Sequence, residues 1–513
     1  MKRSASATSR AREGFLPRLC SRWPLVPLLA ALALGTASAG SAKPDRALEA
    51  ALRSHIETLA SDDYGGREPG TDGERKTLRY LAREWFKIGL VSGTNDPGNA
   101  WFAPVELVER SPSRSMASFQ RSRRPIALPA EGILVLTSGP RQLLENAPVL
   151  FLGRGGEAMP PRAELAGRIA VILDTAPAGM DADTAAARQD RLIEAGAGAV
   201  LTVLDGERTL DTVAARRTRA GYALADDRLG GDLEAFVTAD YATRLFGADW
   251  PALVKVADLT GTASKALALT GTLEATTRET RISTHNLIGR LPGRNPERGA
   301  VLLVAHWDHF GTCAAPPAED LVCNGAIDNA SGLAVLTEAA RVLAKGKKLD
   351  RDVYFLATSA EELGLLGAHA FAENPPLPLA GIVAAFNIDS PAIGPAGMPL
   401  TVIGHGRTGL DGDIAKVAKA LKVRVENNPV ADGFLRRQDG WALLQHDIPA
   451  VMVSSSYSDP ARLERFMENT YHRPSDQIAP VFELGGAVED VAVQVALVRW
   501  FASVKSYPRA KQR

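Results

Sequence analysis

A predicted buried strand near the middle of the chain ends in side chains that can bind metal. The apolar residues 300–305 predict the strand, His306 and Asp308 follow it, and Asp328 lies beyond the next loop. Open α/β sheets bind ligands beyond the carboxyl ends of their strands, and zinc accepts imidazole and carboxylate ligands. We predict that His306 and Asp328 bind metal and that Asp308 accepts the second imidazole N–H of His306. The alternative is a surface loop without chemistry.

Two further predicted strands, residues 353–357 and 382–387, also lead into acidic side chains. Glu361 and Glu362 follow the first strand, and Asp389 follows the second. Adjacent carboxylates in apolar sequence are costly unless a cation meets them. Neighbouring side chains point in different directions, so one glutamate can bind a metal while the other faces a water. The alternative is that these acids only favour helix starts.

His472, in a loop near the C-terminus, is the last candidate ligand. With the residues above it gives enough histidine and carboxylate donors for two zinc ions, with one acid left to act as a base. His309 is left open, because it can also support a neighbouring ligand. The remaining histidines are interpreted as structural or solvated: His55, His285, His369, His405 and His446.

Strands and helices alternate around the candidate residues from about residue 283 onward. The apolar and amphipathic segments cover residues 301–305, 330–344, 352–357, 363–372, 382–387, 409–421, 450–454 and 488–504. Repeated strand-then-helix order with apolar strands predicts an α/β sheet that helices cover on both faces.

The sequence upstream of this region has a different character. Arginine and serine crowd residues 111–124, which predicts a linker, and residues 263–277 are interpreted as transitional. Between them, short β-like runs and no histidine predict a separate small domain without chemistry of its own. A chain of 513 residues with 45% hydrophobic and 23% charged residues is long enough for two or more domains. The formal net charge of zero favours neither nucleic acid nor an anionic membrane as a partner.

The first 39 residues have the pattern of a cleavable signal peptide. A basic segment precedes the apolar residues 24–34, and Ala37-Ser38-Ala39 is a small-x-small motif with cleavage expected after Ala39. The apolar segment is shorter than the roughly 20 residues that span a bilayer, so we expect a periplasmic or secreted protein without stable membrane insertion. In that oxidising compartment Cys313 and Cys323 are predicted to form a disulfide, which contributes roughly 3 kcal/mol by closing a short loop.

These motifs closely resemble the M28 family of co-catalytic zinc aminopeptidases. The matching segments are residues 305–309 (AHWDH), 324–332 (NGAIDNASG), 357–367 (ATSAEELGLLG), 387–389 (NID) and 471–472 (YH). The resemblance implies two zinc ions per chain. It implies that Asp328 bridges them, that His472 and Glu362 complete one site, and that His306 and Asp389 complete the other.

The same resemblance implies roles for the remaining candidates. Glu361 matches the general base, Asp308 matches the residue that orients His306, and Tyr471 matches a hydroxyl that stabilises the tetrahedral oxyanion. One segment departs from the family pattern: residues 438–440 read Gln-Asp-Gly where many relatives have Ser-Asp-His. No metal ligand is lost there, so the departure bears on substrate selectivity.

Residues 164–172 (ELAGRIAVI) and 193–201 (IEAGAGAVL) resemble a protease-associated (PA) domain, in a weaker match of apolar and glycine patterning. The resemblances together imply a three-layer α/β/α zinc-peptidase fold with a mixed, mostly parallel sheet and an inserted small β-rich PA domain. The expected organisation is a signal peptide at residues 1–39, the catalytic domain at residues 40–125 and 266–513, and the PA domain at residues 126–265.

The expected function is hydrolysis of the N-terminal peptide bond of substrates with a free amino terminus. The rivals are a carboxypeptidase, a dipeptidase or a deacylase on the same scaffold, a glutaminyl cyclase as a more distant relative, and a non-catalytic binding protein of this fold. Arg436 and Arg437 can bind a substrate carboxylate, which favours the first group of rivals. The oligomeric state is not predicted.

Overall fold

The computed structural model describes residues 45–98, 100–156, 159–227, 232–260, 264–478 and 482–508. Of the 17 strands in these residues, 15 form one sheet, and the twelfth and thirteenth form a separate two-stranded sheet. The predicted signal peptide lies outside these residues. The strands are β1 (Val91–Ser92), β2 (Phe102–Arg121), β3 (Arg124–Pro125), β4 (Ile133–Leu136), β5 (Arg141–Phe151), β6 (Ile169–Leu173), β7 (Ala199–Leu204), β8 (Gly221–Leu224), β9 (Glu234–Thr238), β10 (Lys265–Leu291), β11 (Ala300–His306), β12 (Gly311–Thr312), β13 (Val322–Cys323), β14 (Asp352–Thr358), β15 (Ile382–Asn387), β16 (Thr401–Ile403) and β17 (Ala450–Ser454).

Helices flank the sheet along its whole length. They are α1 (Arg46–Leu59), α2 (Asp72–Ile88), α3 (Arg162–Leu165), α4 (Ala182–Ala186), α5 (Arg188–Glu194), α6 (Leu210–Arg217), α7 (Ala239–Phe246), α8 (Trp250–Thr260), α9 (Gly332–Ala344), α10 (Leu366–Glu373), α11 (Asp411–Leu421), α12 (Pro429–Asp432), α13 (Asp439–Gln445), α14 (Pro460–Asn469) and α15 (Gly485–Phe501). Every helix in the described part of the chain is too short or too polar to cross a membrane.

The C-terminal half of the sheet has the order β16-β17-β15-β11-β14-β10. Its central strands β14, β11, β15 and β17 are parallel, whereas β10 and β16 pair antiparallel at the two sides. Side chains alternate along each strand, so Leu303 belongs to the core that includes residues of α1, α2, α9, α11 and α15, and Val304 belongs to the core on the opposite face, with residues of α10 and α13. The predicted three-layer α/β/α arrangement with a mixed sheet is confirmed.

The strands β2 and β10 form a long antiparallel ribbon. They have 20 and 27 residues and pair from Arg121 opposite Leu269 to Phe102 opposite Leu287. The linker predicted at residues 111–124 and the transitional segment at residues 263–277 are therefore wrong, because both are largely strand. Much of β2 beyond Arg110 is exposed or half-buried, so its polar composition gave no hydrophobic signal for a strand.

The ribbon joins the two parts of the sheet without a break. At one end β10 pairs with β5, and at the other it pairs with β14. Beyond β5 the parallel strands β6, β7 and β9 continue the sheet, with a core of their own that includes Val171, Leu201 and Leu273.

Candidate functional site

The candidate ligands lie where three neighbouring parallel strands end. β11 ends at His306, Glu361 lies three residues beyond β14, and Asp389 lies two residues beyond β15. Because β11 pairs with β14 on one side and β15 on the other, the three chain segments leave the sheet side by side. The alternation of strand and helix thus brings distant residues to one edge, as the sequence predicts.

Asp328 is at the centre of the cluster. Its Oδ1 lies 3.2 Å from His306 Nε2, and its Oδ2 lies 3.3 Å from His472 Nε2. Burial raises the pKa of the Asp328 carboxyl, but the hydrogen bonds from the two histidines outweigh burial and hold the pKa well below its ordinary value. An ionised carboxylate whose two oxygens face two different imidazoles has the arrangement of a bridging ligand.

Two groups of ligand atoms share Asp328. His306, Asp328 and Asp389 form the first, with 3.7 Å between His306 Nε2 and Asp389 Oδ1. The second contains Asp328, Glu362 and His309. In each group the donor atoms lie within 4.8 Å of one another. One imidazole with two carboxylates suits zinc, so the residues present fit two zinc ions that share the Asp328 carboxylate.

Both His309 and His472 lie close to the carboxylate of Glu362. His472 Nε2 is 3.0 Å from Glu362 Oε2, and His309 Nδ1 is 2.6 Å from Glu362 Oε1. His472 also faces Asp328, although the second group of ligand atoms contains His309 in its place. His309, left open by the sequence, is fully buried and orients Glu362 from the other side.

The Asp308 carboxylate does not make the contact with His306 that the sequence predicts. The backbone carbonyl of Asp308, rather than its carboxylate, lies 3.1 Å from His306 Nδ1, while the carboxylate lies 3.9 Å away. The carboxylate instead accepts the backbone N–H groups of Glu361 at 3.1 Å and Glu362 at 3.3 Å. The strand ends at His306, so the side-chain alternation assumed for Asp308 does not continue. Asp308 therefore orients His306 through its backbone and the two glutamates through its side chain.

Glu361 has the environment of a carboxyl group that exchanges protons. Its side chain is 8% exposed, and its Oε2 lies 4.0 Å from His306 Nε2. Burial raises the pKa of Glu361 well above its ordinary value, although the charge of His306 opposes the shift. A raised pKa brings a carboxylate closer to the range in which a general base works at neutral pH.

The phenol of Tyr471 lies in the same pocket as Glu361. Its ring stacks on His472 with 3.5 Å between the ring centroids, and its oxygen accepts a hydrogen bond from Arg437 Nη2 at 3.2 Å. Burial and the charges of Asp328 and Glu362 raise the pKa of Tyr471, so the hydroxyl stays protonated at neutral pH. Since Arg437 occupies an acceptor position, the hydroxyl hydrogen is free to bond a substrate oxygen.

Arg67 ties the N-terminal segment to the metal-binding loops, a role that the sequence analysis missed. The side chain is fully buried and donates to the carbonyls of Trp307, Leu59, Asn324 and Gly325 over 2.6–3.0 Å. Burial lowers the pKa of Arg67 to about 10, against the nearby carboxylates. The available signal was the turn-rich segment around Arg67, because an arginine beside glycines can mark a turn that packs closely against other backbone segments.

Asp476 and Asp439 are buried acids that the sequence analysis did not select. The carboxylate of Asp476 accepts the backbone N–H groups of Ile327 at 2.9 Å and Asp328 at 3.0 Å. Asp439 accepts the Thr358 hydroxyl at 2.5 Å. Burial raises the pKa of each acid to about 6. Asp476 lies four residues beyond His472, so its proximity to a ligand was the signal.

The predicted disulfide between Cys313 and Cys323 is present. It closes the loop that connects β12 to β13, beside the turn that contains Arg67. A Cβ atom at Gly66 would lie 2.3 Å from the carbonyl oxygen of Cys323, so only glycine allows this approach.

Comparisons with known proteins give one family model and several solved structures that this chain resembles. Residues 286–493 match the model of Peptidase family M28. Curated protein sequences give no match. The solved structure of an aminopeptidase from Aneurinibacillus sp. strain AM-1 aligns over 88% of this chain and 93% of its own, with a TM-score of 0.50 and 19% identity. This similarity establishes a shared fold.

Further solved structures align over a similar part of the chain. A zinc aminopeptidase from Bacillus subtilis aligns over 88% of this chain and 94% of its own, with 20% identity and a TM-score of 0.42. A peptidase M28 precursor from Shewanella amazonensis SB2B aligns over 91% and 98%, with 18% identity and a TM-score of 0.42.

Proposed function

We propose that this protein is an exported zinc-dependent aminopeptidase of peptidase family M28, whose model matches residues 286–493. The observation that carries the proposal is the Asp328 carboxylate, whose two oxygens face His306 and His472 at 3.2 and 3.3 Å. A single histidine beside acids is common in proteins. A buried carboxylate shared by two imidazoles, each with a further acid in reach, is the donor set of a two-metal hydrolase.

The metal ligands would be divided between two sites that share Asp328. His306 and Asp389 would hold one zinc ion, and His472 and Glu362 would hold the other. When bound, the two ions would supply Lewis-acid polarisation of a carbonyl and lower the pKa of a water.

The protein's own groups would perform the proton transfers. Glu361 would take a proton from the attacking water as the new C–O bond forms, and would deliver it to the amine nitrogen as the peptide C–N bond breaks. The Tyr471 hydroxyl would donate to the carbonyl oxygen as negative charge develops there. The raised pKa values of both side chains support these roles, because one accepts a proton readily and the other keeps its own.

Hydrolysis of aminoacyl-p-nitroanilides by the purified mature protein, with and without a chelator, tests the proposal. We expect release that the chelator abolishes, that added zinc restores, and that disappears when the substrate α-amine is acetylated. Zinc-loaded protein that cleaves no free-amine substrate but cleaves acylated or carboxyl-terminal test compounds would instead identify a deacylase or carboxypeptidase. Protein that binds no zinc and cleaves nothing would be a binding protein of the same fold.

Export and domain organisation belong to the same proposal. The basic and apolar pattern of residues 1–39 supports a signal peptide, and the Cys313–Cys323 disulfide supports an oxidising compartment. N-terminal sequencing of the exported protein is expected to begin at Gly40. An inserted PA-type domain at residues 126–265 remains part of the proposal, and its boundaries lie near the ends of the β2–β10 ribbon.

A further inference from the structure

A small pocket opens beside the candidate metal centre. Glu361 and Asp389 form part of its wall. Apolar side chains that include Phe434 and Phe466 form another part. Arg437 is the cationic residue of the lining. The pocket therefore combines apolar contact with one positive charge, next to the carboxyl group assigned as the base.

The guanidinium of Arg437 is held in position without a carboxylate partner. It lies over the rings of Phe434 and Tyr471, 5.1 and 5.4 Å from their centroids, and it donates to the Tyr471 oxygen at 3.2 Å. Within the described residues it has no ion pair, and its side chain is exposed. A guanidinium carries five N–H donors in a planar fork, so several remain available to a ligand.

The neighbouring Arg436 lies on the same turn but makes a different contact. Its guanidinium lies over Trp441 at 5.3 Å, and Arg436 does not line the pocket. The two arginines share a charge and a short 3-10 helix, Leu435–Arg437, but only Arg437 borders the site. Arg436 is therefore a matched control for the charge of Arg437.

We propose that Arg437 binds a carboxylate of the substrate and so makes this enzyme selective for substrates with a carboxylate close to the scissile bond. The inference rests on the proposed function, because it names the substrate class of that site. A free carboxylate entering the pocket would meet Glu361 and Asp389 and be repelled. Arg437 supplies the opposing charge, and its planar fork matches carboxylate geometry.

The contact with Tyr471 limits how far the carboxylate can lie from the bond that breaks. The Tyr471 hydroxyl is assigned to the scissile carbonyl oxygen, and the Arg437 guanidinium is one hydrogen bond away from it. Two carboxylates satisfy this limit: the side chain of an N-terminal glutamate or aspartate, and the α-carboxylate of a dipeptide. Both present the same group to Arg437.

Four substrates separate the two sources. Glutamyl-p-nitroanilide carries only the side-chain carboxylate, and glutaminyl-p-nitroanilide is its uncharged match. Leucyl-glycine carries only the α-carboxylate, and leucyl-glycinamide is its uncharged match. The measurement is kcat/KM for each substrate with the zinc-loaded mature protein, with Arg437→Gln and with Arg436→Gln.

We expect the unmodified protein to prefer the charged member of one pair by about tenfold or more, the discrimination that a hydrogen bond to a charged group provides. Arg437→Gln should remove that preference, chiefly through a higher KM for the charged substrate, and Arg436→Gln should keep it. Equal kcat/KM within both pairs, or a preference that survives in Arg437→Gln, would overturn the inference while leaving the aminopeptidase proposal intact. No hydrolysis of any of the four substrates or of the wider aminoacyl panel would overturn both.

Discussion

The carboxylate of Asp476 accepts the backbone N–H of Asp328 at 3.0 Å. Asp328, which lies between His306 and His472, is thus held by Asp476, a second acid four residues beyond His472. Asp476 also accepts the N–H of Ile327, so it fixes two consecutive peptide groups of the loop that presents the proposed bridging carboxylate. The loop of Asp328 and the loop of His472 are joined at this point.

Asp476→Asn is expected to weaken zinc binding by about 10- to 100-fold, the usual effect of losing a group that supports a metal ligand. The amide retains one oxygen acceptor, so one of the two backbone N–H groups would lose its partner. Zinc affinity measured by competition with a chromogenic chelator checks this. Asp490→Asn is a matched control, because Asp490 is a buried acid that binds Ser454 and Ser455 away from the ligands. Equal zinc affinity in the two variants would contradict the assigned role.

Glu361→Gln is expected to keep both zinc ions and to lower kcat by about 100-fold or more, because the amide cannot take a proton from water. Glu362→Gln should instead lose zinc, since Glu362 faces His472 and His309 as a ligand. Metal analysis of the two purified variants, together with kcat on the best nitroanilide, separates these effects. Full turnover in Glu361→Gln would rule out its role as the base.

Arg67→Met is expected to lower the free energy of unfolding by about 3 kcal/mol or more, because buried carbonyls lose their donor. Arg67 donates to four carbonyls, two of them in the loop just before the bridging acid. Arg67→Lys should also destabilise, since an ammonium cannot span the same acceptors. Denaturant unfolding measures both variants. Arg75→Met, at an exposed arginine paired with Asp72, should change the stability by less than about 0.5 kcal/mol. An equally small change for Arg67→Met would show that its buried hydrogen bonds contribute little to the free energy of unfolding.

Asp490 is expected to make the protein less stable as the pH rises. Burial raises the pKa of its carboxyl from 3.8 to about 7, despite the hydrogen bonds from Ser454 and Ser455. The folded state therefore holds this proton more tightly than the unfolded chain does. The resulting stabilisation is complete below about pH 4 and is lost as the pH rises through about 7.

Asp490→Asn should remove this dependence, which amounts to at most about 1.4 kcal/mol per pH unit. Urea unfolding of both proteins at several values between pH 4 and 8 gives the difference in free energy at each pH. That difference should grow with pH in favour of the variant. A constant difference across the range would mean that the pKa of Asp490 is not shifted.

The clustering of the candidate site residues was predictable because it depends on local order along the chain. His306, Glu361 and Asp389 each follow an apolar strand, and parallel strands bring their carboxyl ends to one edge. Local sequence signals marked the positions of Arg67 and Asp476, but their partners were not predictable, because these contacts join segments distant in sequence. The carboxylate of Asp308 was assigned to the wrong partner because the point at which the strand stops sets its direction.

The β2–β10 ribbon was missed for a related reason. Its paired residues lie far apart in sequence, from Arg121 opposite Leu269 to Phe102 opposite Leu287, and its exposed strand carries polar side chains on both faces. Hydrophobic alternation marks a strand with one buried face, so a strand exposed on both faces has no such signature.

The ribbon also constrains which segment of this chain can be removed as a unit. Arg121 and Leu269 lie opposite each other, so the residues between them, here called the cassette, leave the ribbon and return to it at one point. Removing the cassette at that point would uncover Leu273, which is fully buried against its core, and would free the edge of β10 that pairs with β5. A shortened chain would remain soluble only if the join were moved back toward the register shift at Thr276 and Thr277, where that apolar face ends. Removal of the cassette is therefore expected to require removal of the outer half of the β2–β10 ribbon as well.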